Sequence, residues 1–384
     1  YFLYTSIKKR DIMSNRIKRS YIREILDATD ENTISFAGGL PDKNLFPLDK
    51  LKKASKKVFK NRDCLQYSKS QGLESLREKI ALIYTNKLGF KTTKEEILIT
   101  TGSQQAFDII LKSLDSKQVV VESPSYIGAL GAFKILDKDI VDFKKINELD
   151  DLLDNSNILY AISDYQNPST NIYSNNKREQ IAKVLNKNKS TLIEDGAYCF
   201  LNFKNKVKSP ISKFYQNSYH LGSFSKIVAP GLRLGWIRAK KENIEMLLAA
   251  KESLDLHSST FNQMLLDEYL NDNDLFEHIS FINKEYKNKM EYMSKCFKKF
   301  IPSFKFKKPK GGMFIYGSFD MDSMLLAKES IKENIAFVPA EVFYLNKKSN
   351  EARFNFTNAS YKEIKKGIIK LSYVLDKLHK EINS

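Results

Sequence analysis

Cysteine and histidine are both scarce in this chain, and neither is arranged for chemistry of its own. The three cysteines, Cys64, Cys199 and Cys296, lie far apart, are odd in number and lack C-x-x-C spacing. This excludes a disulfide framework and points to a reducing compartment. The four histidines, His220, His257, His278 and His379, form no H-x-x-x-H pair, so no metal site is expected. No apolar run approaches the ~18 residues of a membrane span, and the N-terminus lacks the uninterrupted apolar core of a secretory signal. A soluble, cytoplasmic protein with no membrane partner is the expectation. Internal repeats and low-complexity linkers are missing too.

Bulk and charge are what the chain has in quantity. Of its 384 residues 42% are apolar and 12% aromatic, ample for a buried core and too many for a disordered chain. At ~150 residues per domain, the length corresponds to two or three domains. Lys and Arg number 63 against 46 Asp and Glu, a net charge of +17, which favours anionic partners: nucleic acids, acidic membranes, phosphates or carboxylates. Much of this charge is lysine scattered singly or mixed with asparagine, as in KKASKK, NKNKS and KEYKNK. Such stretches read as solvated helix faces and loops. No dense basic run coincides with a nucleic-acid motif, so no nucleic-acid partner is expected.

Residues 14–28 have helical spacing, with Ile17, Tyr21, Ile22 and Ile25 on one side, and lead as an N-terminal arm into the extended segment ISFAGGLPD. Asp49 to Phe59 and Gly72 to Leu88 read as helices. From there short apolar runs follow one another: ILIT (97–100), VVVES (119–123), ILYAIS (158–163), TLIED (191–195), YHLGS (219–223) and LGWIRA (234–239). Most are separated by helical stretches such as 104–114. This alternation predicts a doubly wound, largely parallel sheet with helices on both faces. Residues 241–300 read as two long helices and 313–384 as an α+β arrangement, with a boundary near residue 265. The expected division is an arm with part of the small domain (1–48), a large α/β domain (49–265) and a small C-terminal α+β domain (266–384).

In open α/β sheets ligands sit beyond the carboxyl ends of the strands, and four motifs fall at such ends. T-G-S-Q-Q (101–105) lies between a strand and a helix, where free backbone N–H groups and the helix dipole favour an anion. Alone it is equally a helix cap. G-S-F-S-K-x-x-x-P-G-x-R-x-G (222–235) is more specific, gathering Ser223, Ser225, Lys226 and Arg233. A partly desolvated lysine beside hydroxyls and an arginine suits Schiff-base chemistry, because its pKa can be lowered. I-E-D-G-A-Y (193–198) delivers Asp195 and Tyr198, and Y-Q-N-P-S-T (165–170) delivers Asn167. Either of these alone reads as a turn or cap; in this order the four make a set.

The whole chain resembles the fold type I pyridoxal-phosphate aminotransferases, and in particular the branch containing 2-aminoadipate and kynurenine aminotransferases. The resemblance is carried by IREIL, ISFAGGLPD, LFP, LQYS, TTGSQQAFD, ESPSY, QNP, ED-x-x-Y, GSFSK, PGLRLG, DLH, NQML, PKGGMF and ENIAFVP. It implies an aspartate-aminotransferase-like fold, in which a three-layer α/β/α large domain with a mostly parallel sheet is joined to a smaller α+β domain. It also implies the cofactor pyridoxal 5′-phosphate, amino-acid and 2-oxo-acid substrates, and a homodimer with shared active sites. On this resemblance Lys226 would hold the cofactor covalently and act as general base and acid, and Asp195 would pair with the pyridine nitrogen. Asn167 and Tyr198 would bond the 3′-oxygen and Tyr126 would stack on the ring. Ser103, Gln104, Ser223, Ser225 and Arg233 would hold the phosphate, with Tyr67 reaching in from the other subunit. Arg353, in ARFNF, would bind the substrate α-carboxylate as a bidentate pair, and Gly39 would let backbone approach the substrate. Asn167 would lie beside the substrate as well. Arg23, in IREIL, is the candidate for a second, side-chain carboxylate.

Three positions depart from the family pattern and bear on substrate range. The usual Thr-Gly after Asn167-Pro168 is Ser169-Thr170, a glycine pair after Val-Pro is Ala340-Glu341, and a serine is Asn355. The leading expectation is transfer of an α-amino group to 2-oxoglutarate by a ping-pong mechanism, from 2-aminoadipate or a broader aliphatic and aromatic set. Two alternatives stay open: a pyridoxal-phosphate-dependent carbon–sulfur β-lyase, and the effector-binding aminotransferase-like domain of a transcription regulator. The regulator needs a DNA-binding domain that the roughly 30 residues ahead of ISFAGGLPD are too few to form. The sequence begins with Tyr1 rather than methionine, which leaves an upstream segment open.

Overall fold

The structure, a computed structural model, describes Ile25 and residues 30–383. The arm helix expected over 14–28, and Arg23 with it, lies outside the described residues except for Ile25. That side chain is buried in an apolar cluster with Ala37, Ala336, Val338, Ala340 and Phe343.

In chain order the described elements are strand β1 (Ile34–Ser35), helices α1 (Leu48–Val58) and α2 (Glu74–Lys87), β2 (Ile97–Thr100), α3 (Ser103–Ser113), β3 (Gln118–Glu122), α4 (Ile127–Ile135) and β4 (Asp139–Phe143). Then come α5 (Leu149–Leu152), β5 (Ile158–Ala161), α6 (Asn175–Asn188), β6 (Thr191–Asp195), β7 (Ser218–Ser223) and β8 (Gly235–Arg238). The chain continues through α7 (Lys241–Asp255), α8 (Thr260–Asp272), α9 (Leu275–Phe300), β9 (Lys305–Phe306), β10 (Phe314–Ser318), α10 (Ser323–Lys332), β11 (Ile335–Ala336), β12 (Val338–Pro339), β13 (Glu351–Asn355) and α11 (Tyr361–Asn383).

Seven strands form one sheet in the order β2-β8-β7-β6-β5-β3-β4. Pairing is parallel from β7 to β4, while β8 runs antiparallel to both its neighbours, β7 and β2. Strands buried on both faces need apolar side chains at every position, and β2 and β5 are buried throughout. Successive residues point to opposite faces. Val119, Val121, Ile158, Tyr160 and Ile193 accordingly join one core cluster with Phe107 and Ile110 of α3. Val120, Leu159, Ala161 and Leu192 join another with Ile181 and Leu185 of α6. Helices therefore cover both faces, and the fold is the three-layer α/β/α arrangement with a mostly parallel sheet.

A second, antiparallel sheet has the order β12-β13-β10-β9, and β1 pairs in parallel with β11. That pairing brings the segment after the arm against the C-terminal part of the chain. Behind this sheet Phe354 packs against Phe297, Phe304 and Phe337, with ring centroids 4.8–5.5 Å apart. Helix α11 starts with a reciprocal cap: Ser360 Oγ accepts from the Glu363 N–H, while Glu363 accepts from the Ser360 N–H at 2.7 Å. Among the described residues no helix is long and apolar enough to cross a membrane.

One expectation is corrected and one strand is added. Residues 241–300 form three helices, not two, because the chain turns at Leu256–Ser259; Leu256 has φ +61° and the Ser259 side chain caps α8. Strand β4 was not foreseen: it is the sheet edge, half exposed, and Asp139 and Asp142 break its apolar pattern.

Gly222, near the end of the interior strand β7, has no room for a side chain. A Cβ there would meet the buried Trp236 ring at 2.0 Å, and that ring is tied by its indole N–H to the Tyr84 hydroxyl at 3.0 Å. Overpacking of this kind costs about 1–3 kcal/mol. Gly222→Ala is expected to lower the urea midpoint accordingly with the slope unchanged; an unaltered midpoint would contradict the close packing.

Candidate active site

The antiparallel β8 determines where the site forms. Gly235, its first residue, pairs with Thr100 at the end of β2 on one side and with Ser223 at the end of β7 on the other. Two strand ends and the Arg233 turn therefore meet at one edge of the sheet. Strand β6, next to β7, ends there with Asp195.

On this edge backbone comes close to backbone and to guanidinium. Gly102 has φ +79°, and a Cβ on it would lie 2.7 Å from an Arg233 nitrogen; one on Gly235 would lie 3.0 Å from the Gly102 backbone. Arg233, itself at φ +51°, reaches the Pro230 carbonyl at 3.3 Å and the Thr101 carbonyl at 3.5 Å. Ser103 opens α3 and is half-buried, whereas Gln104 on the same turn is exposed. Gln105 turns back to accept the Thr101 N–H at 2.7 Å. Ser223 Oγ accepts the Ser225 N–H at 3.1 Å. A helix N-terminus, three serines and an arginine are thus brought to one edge of the sheet, which is the chemistry of an anion site.

Lys226 follows directly. Its Nζ donates to the Gly39 carbonyl at 2.8 Å, and its pKa is lowered to about 8 by burial, with Arg353 and Arg233 adding to the shift and Asp195 opposing it. The buried Asp195 carboxylate accepts from the Ala197 N–H at 3.0 Å and from the Tyr160 hydroxyl at 3.2 Å. Burial nevertheless raises its pKa. Asn167 stands between two partners: its amide donates to the Tyr198 hydroxyl at 3.4 Å, and its carbonyl accepts from Arg353 at 2.6 Å.

Arg353, on β13, is 1% exposed. It also donates to the Ala37 carbonyl at 2.6 Å and stacks over Phe314, 4.2 Å from the ring centroid, and Phe343, at 5.1 Å. Its Nε is buried with no partner, and burial lowers the guanidinium pKa to about 10. Burial also pushes the Tyr198 phenol upward, with Tyr126 adding to the shift.

Lys226, Asp195, Asn167, Tyr198, Tyr126, Arg233, Arg353 and Gly39 thus share one electrostatic neighbourhood. Ser103, Ser223 and Ser225 lie on its strand-end edge. Tyr67 stands apart, 78% exposed, with its ring edge-on to His257 at 5.7 Å. Sequence reasoning missed Tyr160 and the two phenylalanines around Arg353, which no local motif marks. At the departures, Thr170 takes the left-handed conformation, φ +61°, at the position where a glycine is usual. Glu341 lies in the short turn Ala340–Phe343, and Asn355 accepts from the Thr357 and Asn358 N–H groups at 2.9 and 3.1 Å.

The aminotransferase class I and II family pattern matches residues 32–371. The chain belongs to this family. This aminotransferase is 31% identical over 93% of its length to aromatic-amino-acid aminotransferase 1 of Thermococcus litoralis, covering 91% of that protein. It is 30% identical over 94% of its length to a 2-aminoadipate transaminase of Thermus thermophilus, covering 95% of that protein. A crystal structure of LysN, the α-aminoadipate aminotransferase of Thermus thermophilus complexed with N-(5′-phosphopyridoxyl)-L-leucine, superposes with a TM-score of 0.87 at 29% identity. The overlap covers 96% of this chain and 97% of that one. The enzyme is therefore a transaminase dependent on pyridoxal phosphate.

The residues fit that group on their own geometry. The glycine cradle at Gly102 would be filled by any Cβ, the lysine has a lowered pKa, the Asp195 carboxylate is destabilised by burial, and the Arg353 Nε is free for an acceptor. Only a neutral amine attacks a carbonyl. The rate at which the cofactor-stripped enzyme captures pyridoxal 5′-phosphate should therefore rise with pH through a midpoint near 8. Because Asp195 raises the lysine pKa, Asp195→Asn should move that midpoint lower. A midpoint near 10.5, the value of a free lysine, would contradict the site.

Proposed function

We propose that the enzyme moves the α-amino group of an amino acid, 2-aminoadipate or a broader aliphatic and aromatic set, to 2-oxoglutarate in two ping-pong half-reactions, acting as a cytoplasmic homodimer. One observation carries the reading: Lys226 reaches the Gly39 carbonyl, Arg353 reaches the Ala37 carbonyl and Asn167, and Asn167 reaches the Tyr198 hydroxyl, so a lysine, a buried arginine with an unpaired Nε and a buried phenol converge on one stretch of backbone. The relatives named for 2-aminoadipate and for aromatic amino acids support the donor range.

When bound, pyridoxal phosphate supplies an electron sink that makes the substrate Cα–H bond acidic. Lys226, partly neutral at physiological pH, would remove that proton and return it as an ammonium acid. Asp195 would hold a proton at the pyridine nitrogen, an assignment supported by its burial, which raises the carboxyl pKa and which a nearby positive charge would offset. Asn167 and Tyr198 would bond the 3′-oxygen, Tyr126 would stack on the ring, and Ser103, Gln104, Ser223, Ser225 and Arg233 would hold the phosphate. Arg353 would take the substrate α-carboxylate through Nε and a terminal nitrogen, with Asn167 beside it and Gly39 backing the close approach; a Cβ on Gly39 would sit 3.3 Å from Phe314. Arg23 is proposed for a side-chain carboxylate.

The homodimer reading draws on an exposed apolar surface around the turn Arg62–Leu65: Phe59, Leu65 and Tyr67 are 62%, 78% and 78% exposed. Patches of this kind mark interfaces, and here Tyr67 would complete the neighbour's phosphate site. Three free, buried cysteines accord with a cytoplasmic setting. The division into 1–48, 49–265 and 266–384 belongs to the same proposal, and is supported by the two sheets drawing mainly on residues 97–238 and 305–355.

The deciding measurement is a visible absorption spectrum of the purified enzyme, recorded before and after L-2-aminoadipate and again after 2-oxoglutarate. A yellow band that bleaches with the donor and returns with the acceptor is expected, and Lys226→Ala should abolish both the band and turnover. A band that no amino acid bleaches would favour the regulator reading, and pyruvate release without any keto acid would favour the β-lyase.

Arg353→Lys keeps the charge but not the planar fork. It should raise the KM for the amino donor by about tenfold or more while the cofactor band persists, the loss of one charge-assisted hydrogen bond; an unchanged KM would remove the arginine from carboxylate binding.

A further inference from the structure

The segment Asp255-Leu256-His257 has no part in the chemistry above, yet it holds an unusual conformation. Helix α7 ends at Asp255, and Leu256 follows at φ +61° and ψ −58°. A branched residue rarely adopts this region, and persists there only where its surroundings over-determine it.

Those surroundings lie on either side of the turn. On one side Asp255 accepts the Thr101 hydroxyl at 2.9 Å and pairs with Lys251, whose side chain is fully buried. Burial alone would raise the Asp255 pKa, but bonds from Lys251, Gln105 and Thr101 outweigh it and hold the carboxyl below its ordinary range. Thr101 Oγ1 also lies 2.9 Å from Ser258 Oγ. With its N–H given to Gln105 at 2.7 Å and its carbonyl taking Arg233 at 3.5 Å, Thr101 is anchored through every polar atom. The next two residues, Gly102 and Ser103, open α3, so the anchoring of Thr101 aims their N–H groups.

On the other side His257 Nδ1 lies 2.9 Å from the Ser258 carbonyl. That oxygen can only accept, so Nδ1 carries the hydrogen and Nε2 is left to accept the Ser68 N–H, at 3.3 Å. The imidazole meets Tyr67 edge-on at 5.7 Å, and Thr260 next along ties the Gln66 carbonyl at 2.9 Å.

We propose that the Asp255-Leu256-His257 turn is the positioning element of the phosphate subsite: Asp255 sets the loop Thr101–Ser103 for the subunit's own cofactor, and His257 sets Tyr67 for the neighbour's. This rests on the function proposed above. Asp255 and His257 act through Thr101 and Ser68 and touch no reacting atom. Their effect should therefore be confined to the phosphate, which separates positioning from general support of the fold.

The test compares pyridoxal 5′-phosphate with pyridoxal, which lacks the phosphate, by spectroscopic titration of the full cofactor-stripped chain. Thr101→Val removes only the hydroxyl and Thr101→Ser restores it; His257→Phe keeps the ring against Tyr67 and removes the acceptor. One lost hydrogen bond corresponds to about a tenfold change. Thr101→Val and His257→Phe should each weaken pyridoxal 5′-phosphate by about that factor, Thr101→Ser should match the unaltered enzyme, and pyridoxal should bind all four proteins alike. The inference is overturned if either variant binds pyridoxal 5′-phosphate normally, or if it loses both ligands in equal measure. An unaltered enzyme that itself fails to prefer the phosphorylated ligand would overturn the proposed phosphate site along with the inference.

Discussion

The register of one antiparallel strand holds this active site together. Gly235 lies in register with both Thr100 and Ser223, so the ends of β2 and β7 cannot separate without breaking the pairing of β8 with its neighbours. The absence of side chains at Gly102, Gly222 and Gly235 makes the approach possible, since a Cβ at any of the three would meet an atom at 3.0 Å or less. Space that a Cβ would have taken is given to Arg233 at one level and to Trp236 at the other. The anion site and the core beneath it are two faces of a single packing solution.

Electrostatics follow from that geometry. Lys226 is acted on by two cations, Arg353 and Arg233, and by the buried carboxylate of Asp195. Burial and mutual repulsion lower the lysine pKa, while burial raises that of the aspartate, so each of these groups is less stable in its charged form than it would be in water. An anionic ligand with a cationic ring nitrogen reverses both penalties at once. The excess of cations suits a phosphate and a carboxylate, and the lone aspartate suits a protonated ring. This local imbalance, and not the chain's overall +17, is what the proposed ligand would meet, since charges on exposed lysines are screened by salt.

Much of this arrangement was legible in the sequence because the residues involved lie in short motifs at strand ends. Ser223, Ser225, Lys226 and Arg233 lie within twelve residues, and Asp195 and Tyr198 within four; their proximity depends little on tertiary detail. Tyr160 could not be read in this way. It meets Asp195 only because β5 and β6 pair with Ala161 opposite Glu194, a register that apolar patterning does not specify when both faces are buried. Phe314 and Phe343 reach Arg353 from different parts of the C-terminal region, one on β10 and the other on the turn before β13. The third helix in 241–300 was hidden for another reason: an apolar, helix-favouring residue, Leu256, occupies the break, and only the serines after it mark a new cap.

The departures from the family pattern show which features the fold demands and which it tolerates. Where glycine is usual, Thr170 is held at φ +61°, a conformation that disfavours a β-branched residue. The turn survives because its backbone is closed on itself: the Thr170 N–H bonds the Gln166 carbonyl at 2.6 Å, and the Gln166 side chain accepts the Ser169 N–H at 2.7 Å while donating to the Pro124 carbonyl at 2.6 Å. Asn355, in the place of a serine, likewise caps the turn after β13, accepting two backbone N–H groups and the Thr357 hydroxyl. Asn167 precedes the first of these turns and Arg353 the second, and the two side chains meet at 2.6 Å. Both substitutions thus fall a few residues behind this contact. Each turn is closed by its own hydrogen bonds, which leaves the Asn167–Arg353 pair intact beside it.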